Sequence, residues 1–193
     1  MMTPDPNQLL ERIRSGDKAA AVALIELFYQ RIYCFLRRLA ANEADAADLT
    51  QRTFGRVWQA LPSFAGRSSI GSWIHGIAYH IYVDWRRADR HNEFRPEEWW
   101  LTCAAGDTSP DEAAAKADLQ ATVYASVDEL EPDLRNTIHL HYYQGLTLDE
   151  TAEAMGVATS TVKYRRRLAL DELQKKLTTE RTTLGSATRT KMI

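Results

Sequence analysis

Four cationic side chains fall within five residues, at Lys163, Arg165, Arg166 and Arg167. The chemistry open to such a cluster is recognition of phosphates and base edges rather than bond making. A guanidinium pairs bidentately with guanine, while an ammonium or a hydroxyl such as Thr161 is better suited to a phosphate. The segment that must carry these groups, Thr147 to Leu173 (TLDETAEAMGVATSTVKYRRRLALDEL), reads as a helix-turn-helix. Thr147 and Glu150 have the T-x-x-E spacing of a capping box. Leu148, Ala152 and Met155 then share one apolar face, with Ala152 small where a second helix crosses. Gly156 is expected in the left-handed conformation that ends the first helix, with Val157 plugging the turn. Thr159 or Ser160 is expected to cap the second helix, whose first turns would enter a major groove. Taken alone, the pair also fits two amphipathic surface helices with a solvated basic face.

Other chemistries find little support. His139 and His141 are two apart on a predicted helix and project about 200° from one another, a poor geometry for a shared metal. The chain contains no H-E-x-x-H pair, no nucleophile elbow and no glycine-rich phosphate loop. No catalytic residue, metal or cofactor is therefore assigned, and the chain is read as a non-enzyme.

The formal net charge of −2 looks unsuited to nucleic acid until it is mapped. Residues 92–133 carry 11 acidic side chains against Arg95 and Lys116, whereas residues 159–177 carry six basic ones against Asp171 and Glu172. A local basic surface matters more to DNA than the global balance. Cys34 and Cys103 are the two cysteines, far apart and outside any C-x-x-C pattern, which fits a reducing cytoplasm. The first residues, MMTPDPNQLLERIRSGD, contain no signal-peptide stretch, and no run of about 18 apolar residues announces a membrane span.

Helical periodicity dominates the rest. Leu24, Phe28, Ile32, Phe35 and Leu39 mark a long amphipathic helix over residues 17–40, interrupted by Asn42. Residues 44–60 form another, with Leu49, Thr53, Val57 and Ala60 on one side. Phe54, Trp58 and Leu61 make a second stripe on it, more than one buried face needs, and Trp58 is assigned to the core. After a Ser- and Gly-rich loop from Pro62 to Gly71, Ile70, Ile74, Ile77, Ile81 and Trp85 mark a third helix. Trp73 and Trp85 interleave with that stripe and are read as core, and His75 as a surface histidine. With a short helix from Pro6 to Ser15 these make one helical domain, residues 1–91. Residues 92–117 are an acidic linker containing Trp99-Trp100, which are expected to dock on a partner or a domain face. A second helical domain spans 118–177, and 178–193 is a polar, frayed tail. The fold expected is all-α, two small domains on a flexible acidic linker.

Three motifs in order carry a resemblance: DAADLTQRTFGRVWQAL at Asp45–Leu61, FAGRSSIGSWIHGIAYHIYVDWRR at Phe64–Arg87, and LTLDETAEAMGVATSTVKYRRRLALDEL at Leu146–Leu173. Across residues 8–177 the chain resembles a bacterial RNA polymerase sigma factor of the extracytoplasmic-function class. That resemblance implies a sigma region 2 bundle and a sigma region 4 helix-turn-helix. It implies docking on the coiled-coil and flap of core RNA polymerase, promoter DNA as ligand, and an anti-sigma partner relaying a stress or envelope signal. Neither membrane insertion nor a homo-oligomer is expected.

By the same resemblance, Asp45, Asp48, Leu49, Gln51, Arg52 and Phe54 contact polymerase. Phe64, Arg67, Tyr79, His80, Asp84, Arg86 and Arg87 recognise and open the minus-ten region, where aromatic faces stack on unpaired bases and Arg67, Arg86, Arg87 and Arg90 hold phosphates. Ser160, Thr161, Lys163, Tyr164, Arg165 and Arg167 read the minus-thirty-five element. The chain departs from the family pattern at His80 (usually Asn), Thr151 (usually Ile) and Arg166 (usually Leu). The competing reading is a dimeric helix-turn-helix regulator that binds duplex DNA unaided, but residues 1–91 show neither a βαβ pattern nor a phosphate-binding loop.

Overall fold

The computed structural model describes residues 5–40, 42–88 and 120–190, with side chains as far as residue 178. The acidic linker 92–117, with Trp99-Trp100, and Arg90 lie outside the described residues. Among those described, every regular element is helical.

The first unit is built on polar caps followed by apolar stripes. Asp5 caps α1 (Pro6–Arg14) by accepting from the Asn7 amide, with Pro6 in the first turn, where its missing N–H costs nothing. Asp17 caps α2 (Lys18–Leu39) by accepting from the amides of Ala19 and Ala20, and Arg12 pairs with it at 2.7 Å. Leu24, Phe28, Ile32, Phe35, Leu36 and Leu39 turn one face of α2 into the core. That helix is long and apolar enough to cross a membrane, but this packed face marks it as a core helix.

Asn42 caps α3 (Glu43–Ala60), which buries Leu49, Thr53 and Val57. The Thr50 and Thr53 hydroxyls donate to the carbonyls of Ala46 and Leu49, so these buried groups are satisfied within their own helix. A 3₁₀ turn at Leu61–Ser63 leads to α4 (Ile70–Ala88), whose Ile70, Ile74, Ala78 and Tyr82 close the bundle.

The second unit holds a smaller core of Val127, Leu130, Leu134, Ile138, Ala169 and Leu173. It comprises α5 (residues 120–128), α6 (Pro132–Ile138) extended by a π turn at His139–Tyr143, α7 (Leu148–Met155) and α8 (Thr159–Thr190). The capping box at Thr147 and Glu150 forms in full, and Gly156 takes φ +67°. The cap of α8 departs from expectation. The helix starts at Thr159, so the cap position falls on Ala158, and the Thr159 hydroxyl instead donates to Asp149 Oδ1 at 2.8 Å. That bond ties the two helices of the motif side to side. α8 also continues to Thr190 instead of fraying after Leu177, since extending a nucleated helix is far easier than starting one.

The two units share a core. Leu140, Leu146, Ala154 and Met155 of the second unit pack into the cluster formed by α1–α4. Where α4 crosses α7, a Cβ added to Gly76 would stand 3.4 Å from Ala154 Cα and 3.9 Å from its Cβ, ordinary contact distances that mark how closely the two helices approach. Arg31 Nη2 donates to the Gln144 carbonyl at 2.7 Å, and the Arg38 guanidinium sits 4.4 Å from the Tyr143 ring centroid. His75 is buried here as well, contrary to its expected surface position, because the second unit covers it. Its Nδ1 donates to the Gly71 carbonyl at 2.7 Å, and its Nε2 lies 3.3 Å from Gln144 Oε1. Burial pulls the imidazole below its ordinary value against the raising effect of those contacts, so it rests neutral.

Candidate functional site

Three surfaces gather the residues singled out in the sequence. The first is the outer face of α3. Asp48, Gln51 and Arg52 are exposed along it, with Asp48 and Arg52 paired at 2.6 Å, and both side chains remain about half open to solvent. Asp45 is engaged locally: its carboxylate accepts from Asn42 Nδ2, and its amide donates back to Asn42 Oδ1. Leu49 is fully buried, which corrects its assignment as a contact. The position four before Thr53 and eight before Val57 lies on the inward stripe, so no partner can reach it. Phe54 is also mostly buried, with its ring stacked on Tyr29 at 5.7 Å.

Trp58, assigned to the core, is 47% exposed. α3 has two apolar stripes but only one neighbouring core, and Trp58 faces outward from the second. Val22 and Tyr29 of α2 are also close to half exposed. Ile13, Ala21, Leu61 and Pro62 complete a hollow of about 250 Å³ around the indole. Val22 and Tyr29 were not singled out in the sequence; their only signal was an apolar residue on the polar side of the α2 stripe.

The second surface runs from the loop before α4 along that helix. Phe64 is buried with its ring 5.0 Å from that of Trp73, so it fixes the loop instead of presenting a free stacking face. Trp73 and Trp85 pack at the edge of the core, as their spacing suggested. Arg67, His80, Asp84 and Arg87 are exposed, Arg86 is partly covered, and Asp84 and Arg87 approach to 3.8 Å. Tyr79 is 7% exposed because Asp133, Asn136 and Arg165 of the second unit lie over it.

The third surface is on α8. Ser160, Lys163, Tyr164 and Arg167 are all exposed, and their spacing of 3, 1 and 3 puts them on a single face. The Arg167 guanidinium lies 5.7 Å from the Tyr164 ring centroid, which orients it along that face. Thr161 sits at its edge, half covered. Arg165 does not share the face: at 100° per residue it turns away and pairs with Asp133 of α6. Arg166 is partly buried, with its Nε enclosed and unbonded, so the helix keeps the stem inside where the family pattern has leucine. Thr151, the other departure, is fully buried and its hydroxyl donates to the Thr147 carbonyl at 2.8 Å. A polar residue is thus accommodated in the helix-turn-helix interior.

Glu150 links the second and third surfaces. Its Oε2 accepts from the Thr147 amide at 2.9 Å, completing the cap, while Oε1 accepts from Ser69 at 2.8 Å and Ser72 at 2.7 Å. Burial by itself would raise this carboxyl, but the Thr147 amide and the Ser72, Ser69 and Thr147 hydroxyls outweigh it and hold it at about 2, below the usual 4.5. Folding therefore favours the ionised form, a contribution present above pH 4.5 and lost as the pH falls towards 2. Glu150→Gln is expected to lower the urea midpoint at pH 7, and the gap from wild type should narrow between pH 4.5 and 2.5. A gap that stays constant over that range would remove the carboxylate from this account.

Comparison with known proteins follows the same division. The family model for Sigma-70 region 2 matches residues 24–92, and that for Sigma-70, region 4 matches residues 120–173. The extracytoplasmic-function sigma factor SigX of Bacillus subtilis is 31% identical over 79% of this chain and 80% of its own length. The corresponding factor SigE of Mycolicibacterium smegmatis is 33% identical over 78% of this chain, which spans 60% of that relative's length. Among solved structures, the sigma factor RpoE of Bartonella quintana, bound to the anti-sigma factor NepR, shares the fold with a TM-score of 0.60. It is 22% identical, over 80% of this chain and 94% of its own.

Proposed function

This chain belongs to the extracytoplasmic-function class of RNA polymerase sigma factors, and from that premise we propose how its surfaces divide the work of initiation. A sigma factor binds core RNA polymerase and directs it to promoters. The division rests on one observation: each family-matched segment presents its own polar face. The face on α3 carries the paired Asp48 and Arg52 with Gln51 and the exposed Trp58, and the one on α8 is cationic with a tyrosine at its centre.

Asp48, Gln51 and Arg52, with the exposed Trp58 on the same helix, suit a basic, partly apolar helical partner such as the coiled-coil of the largest polymerase subunit. The α8 face suits the major groove of the minus-thirty-five element and the side of the chain that meets the flap. Arg67, His80, Asp84, Arg86 and Arg87 are the minus-ten contacts, joined by Tyr79 once it is uncovered. The chain makes and breaks no bond itself, acts in the cytoplasm, and is held in check by an anti-sigma factor, as RpoE of Bartonella quintana is bound by NepR.

Run-off transcription with bacterial core polymerase tests the reading, the expected result being promoter-dependent transcripts that core alone does not produce. Failure on every native promoter fragment would sink it. Within the α8 face the two cations should separate. Lys163→Ala is expected to weaken holoenzyme binding uniformly across sequences and lower its salt slope by about one. Arg167→Ala should cost about 1–3 kcal/mol and relax base preference at one position. A Lys163→Ala variant with an unchanged salt slope would remove it from the phosphate contacts.

A further inference from the structure

Between α1 and the loop that leads into α4 lies a hollow of about 340 Å³, within the size range of small-ligand sites. Its floor is apolar: Leu10, Phe64 and Ile70 are buried there, and Phe64 is fixed by its ring contact with Trp73. Its rim is polar, with Asn7, Glu11 and Arg14 on one side and Ser68 on the other. Residues 7, 10, 11 and 14 follow one another by 3, 1 and 3, so α1 turns a single face to the loop.

The rim keeps its bonding capacity free. Arg12, one half-turn earlier, is held by Asp17, whereas neither the Arg14 nor the Glu11 side chain has an ion-pair or hydrogen-bond partner among the described residues. Gly66 of the loop takes φ +69°, and a Cβ there would meet Arg14 Nη2 at 3.8 Å, so the guanidinium lies over bare backbone. A flat ligand with apolar faces and a polar edge suits this site, its face on the floor and its edge against the guanidinium and carboxylate. An unpaired nucleobase has that shape. The minus-ten contacts named above all lie on this loop and on α4, and none lies on α1.

We propose that α1 is the second wall of a pocket for one unpaired base of the minus-ten strand, and that Arg14 and Glu11 read the edge of that base. The inference rests on the minus-ten reading above and adds what selects the base. A guanidinium only donates and a carboxylate only accepts, so the base must offer both an acceptor and an amino group. Cytosine, adenine and guanine do so. Thymine has no amino group, and its one N–H stands between two carbonyl oxygens that repel a carboxylate. Contacts made only to the extruded base offset the cost of unstacking it.

The test is a cycle between side chain and base. Holoenzyme made with bacterial core polymerase is titrated with the non-template strand of a minus-ten region that supports run-off transcription, each base in turn being replaced by an abasic site. For wild type, one position is expected to cost at least about tenfold, the size of a bidentate base contact. Arg14→Ala should lose about tenfold on the natural strand and nothing further on the strand that is abasic at that position, with thermal unfolding unchanged. Glu11→Gln should narrow the discrimination against thymine there, because an amide also donates. Arg14→Lys keeps the charge without the planar fork, so it should not rescue a base contact. An Arg14→Ala loss of the same size on every abasic strand, rescued by Arg14→Lys, puts the side chain on a phosphate and overturns the base reading. Wild-type affinity in Arg14→Ala overturns the pocket. If no abasic site weakens the wild-type holoenzyme, the minus-ten reading itself fails and this inference falls with it.

Discussion

Asp48→Arg is expected to lower the affinity for core polymerase at least about a hundredfold while leaving the fold intact. The side chain is about half exposed, it is ion-paired with Arg52 on the same helix, and such surface pairs contribute at most about 1 kcal/mol to stability. On the docking proposed for α3 the loss arises at the interface, where the substitution would remove an attractive contact, place a cation opposite a basic partner and leave Arg52 without its counter-charge. Like-charge juxtaposition in a docked interface costs several kcal/mol. Titration of labelled core polymerase measures the affinity, and thermal unfolding of the free chain supplies the control. A variant that binds core as wild type does would move the docking surface off α3, leaving the Trp58 hollow as the place to look next.

The second large effect is on stability. Phe35 is fully buried between the stripes of α2 and α4, with its ring edge against His75 at 5.7 Å. Phe35→Ala should cost about 3–5 kcal/mol, the transfer energy of the ring plus the cavity it leaves. Domains of this kind have only about 5–15 kcal/mol in total, so a melting temperature lower by roughly 10 °C is expected. Because His75 and Gln144 lie on the far side of the ring, the damage should reach the contact between domains as well as the bundle. Urea unfolding followed separately by tryptophan fluorescence and by helix content tests this. A loss below about 1 kcal/mol would mean that the core closes over the gap.

The helices were legible because most have an apolar stripe at helical spacing, and four of them open on a capping side chain. Asp5, Asp17, Asn42 and Thr147 all cap as their side-chain types suggest. The helix-turn-helix was legible for the same local reasons: Gly156 and the Thr147–Glu150 box act within one turn of chain. What escaped was decided at a distance. His75 looks like a surface residue until Gln144, 69 positions later, covers it. Trp58 looks like core because the sequence shows two stripes on α3 but not which one has a neighbour.

The basic cluster failed in another way. Four cations in five residues read as one patch, yet a helix distributes five consecutive residues around its whole circumference. The exposed face is therefore Ser160, Lys163, Tyr164 and Arg167, with Arg165 on another side and Arg166 half enclosed. Spacing of 3 and 4, applied to the cations as it was to the leucines, would have found this.

The two oxygens of Glu150 have separate duties, so one side chain serves both local and tertiary structure. Oε1 faces the serines of the other domain, whereas Oε2 stays on the amide at the start of its own helix. The charge that satisfies the start of α7 is thus the same charge that holds two hydroxyls 78 and 81 positions earlier, so the helix cap and the packing of α7 on α4 answer together to the protonation of a single group.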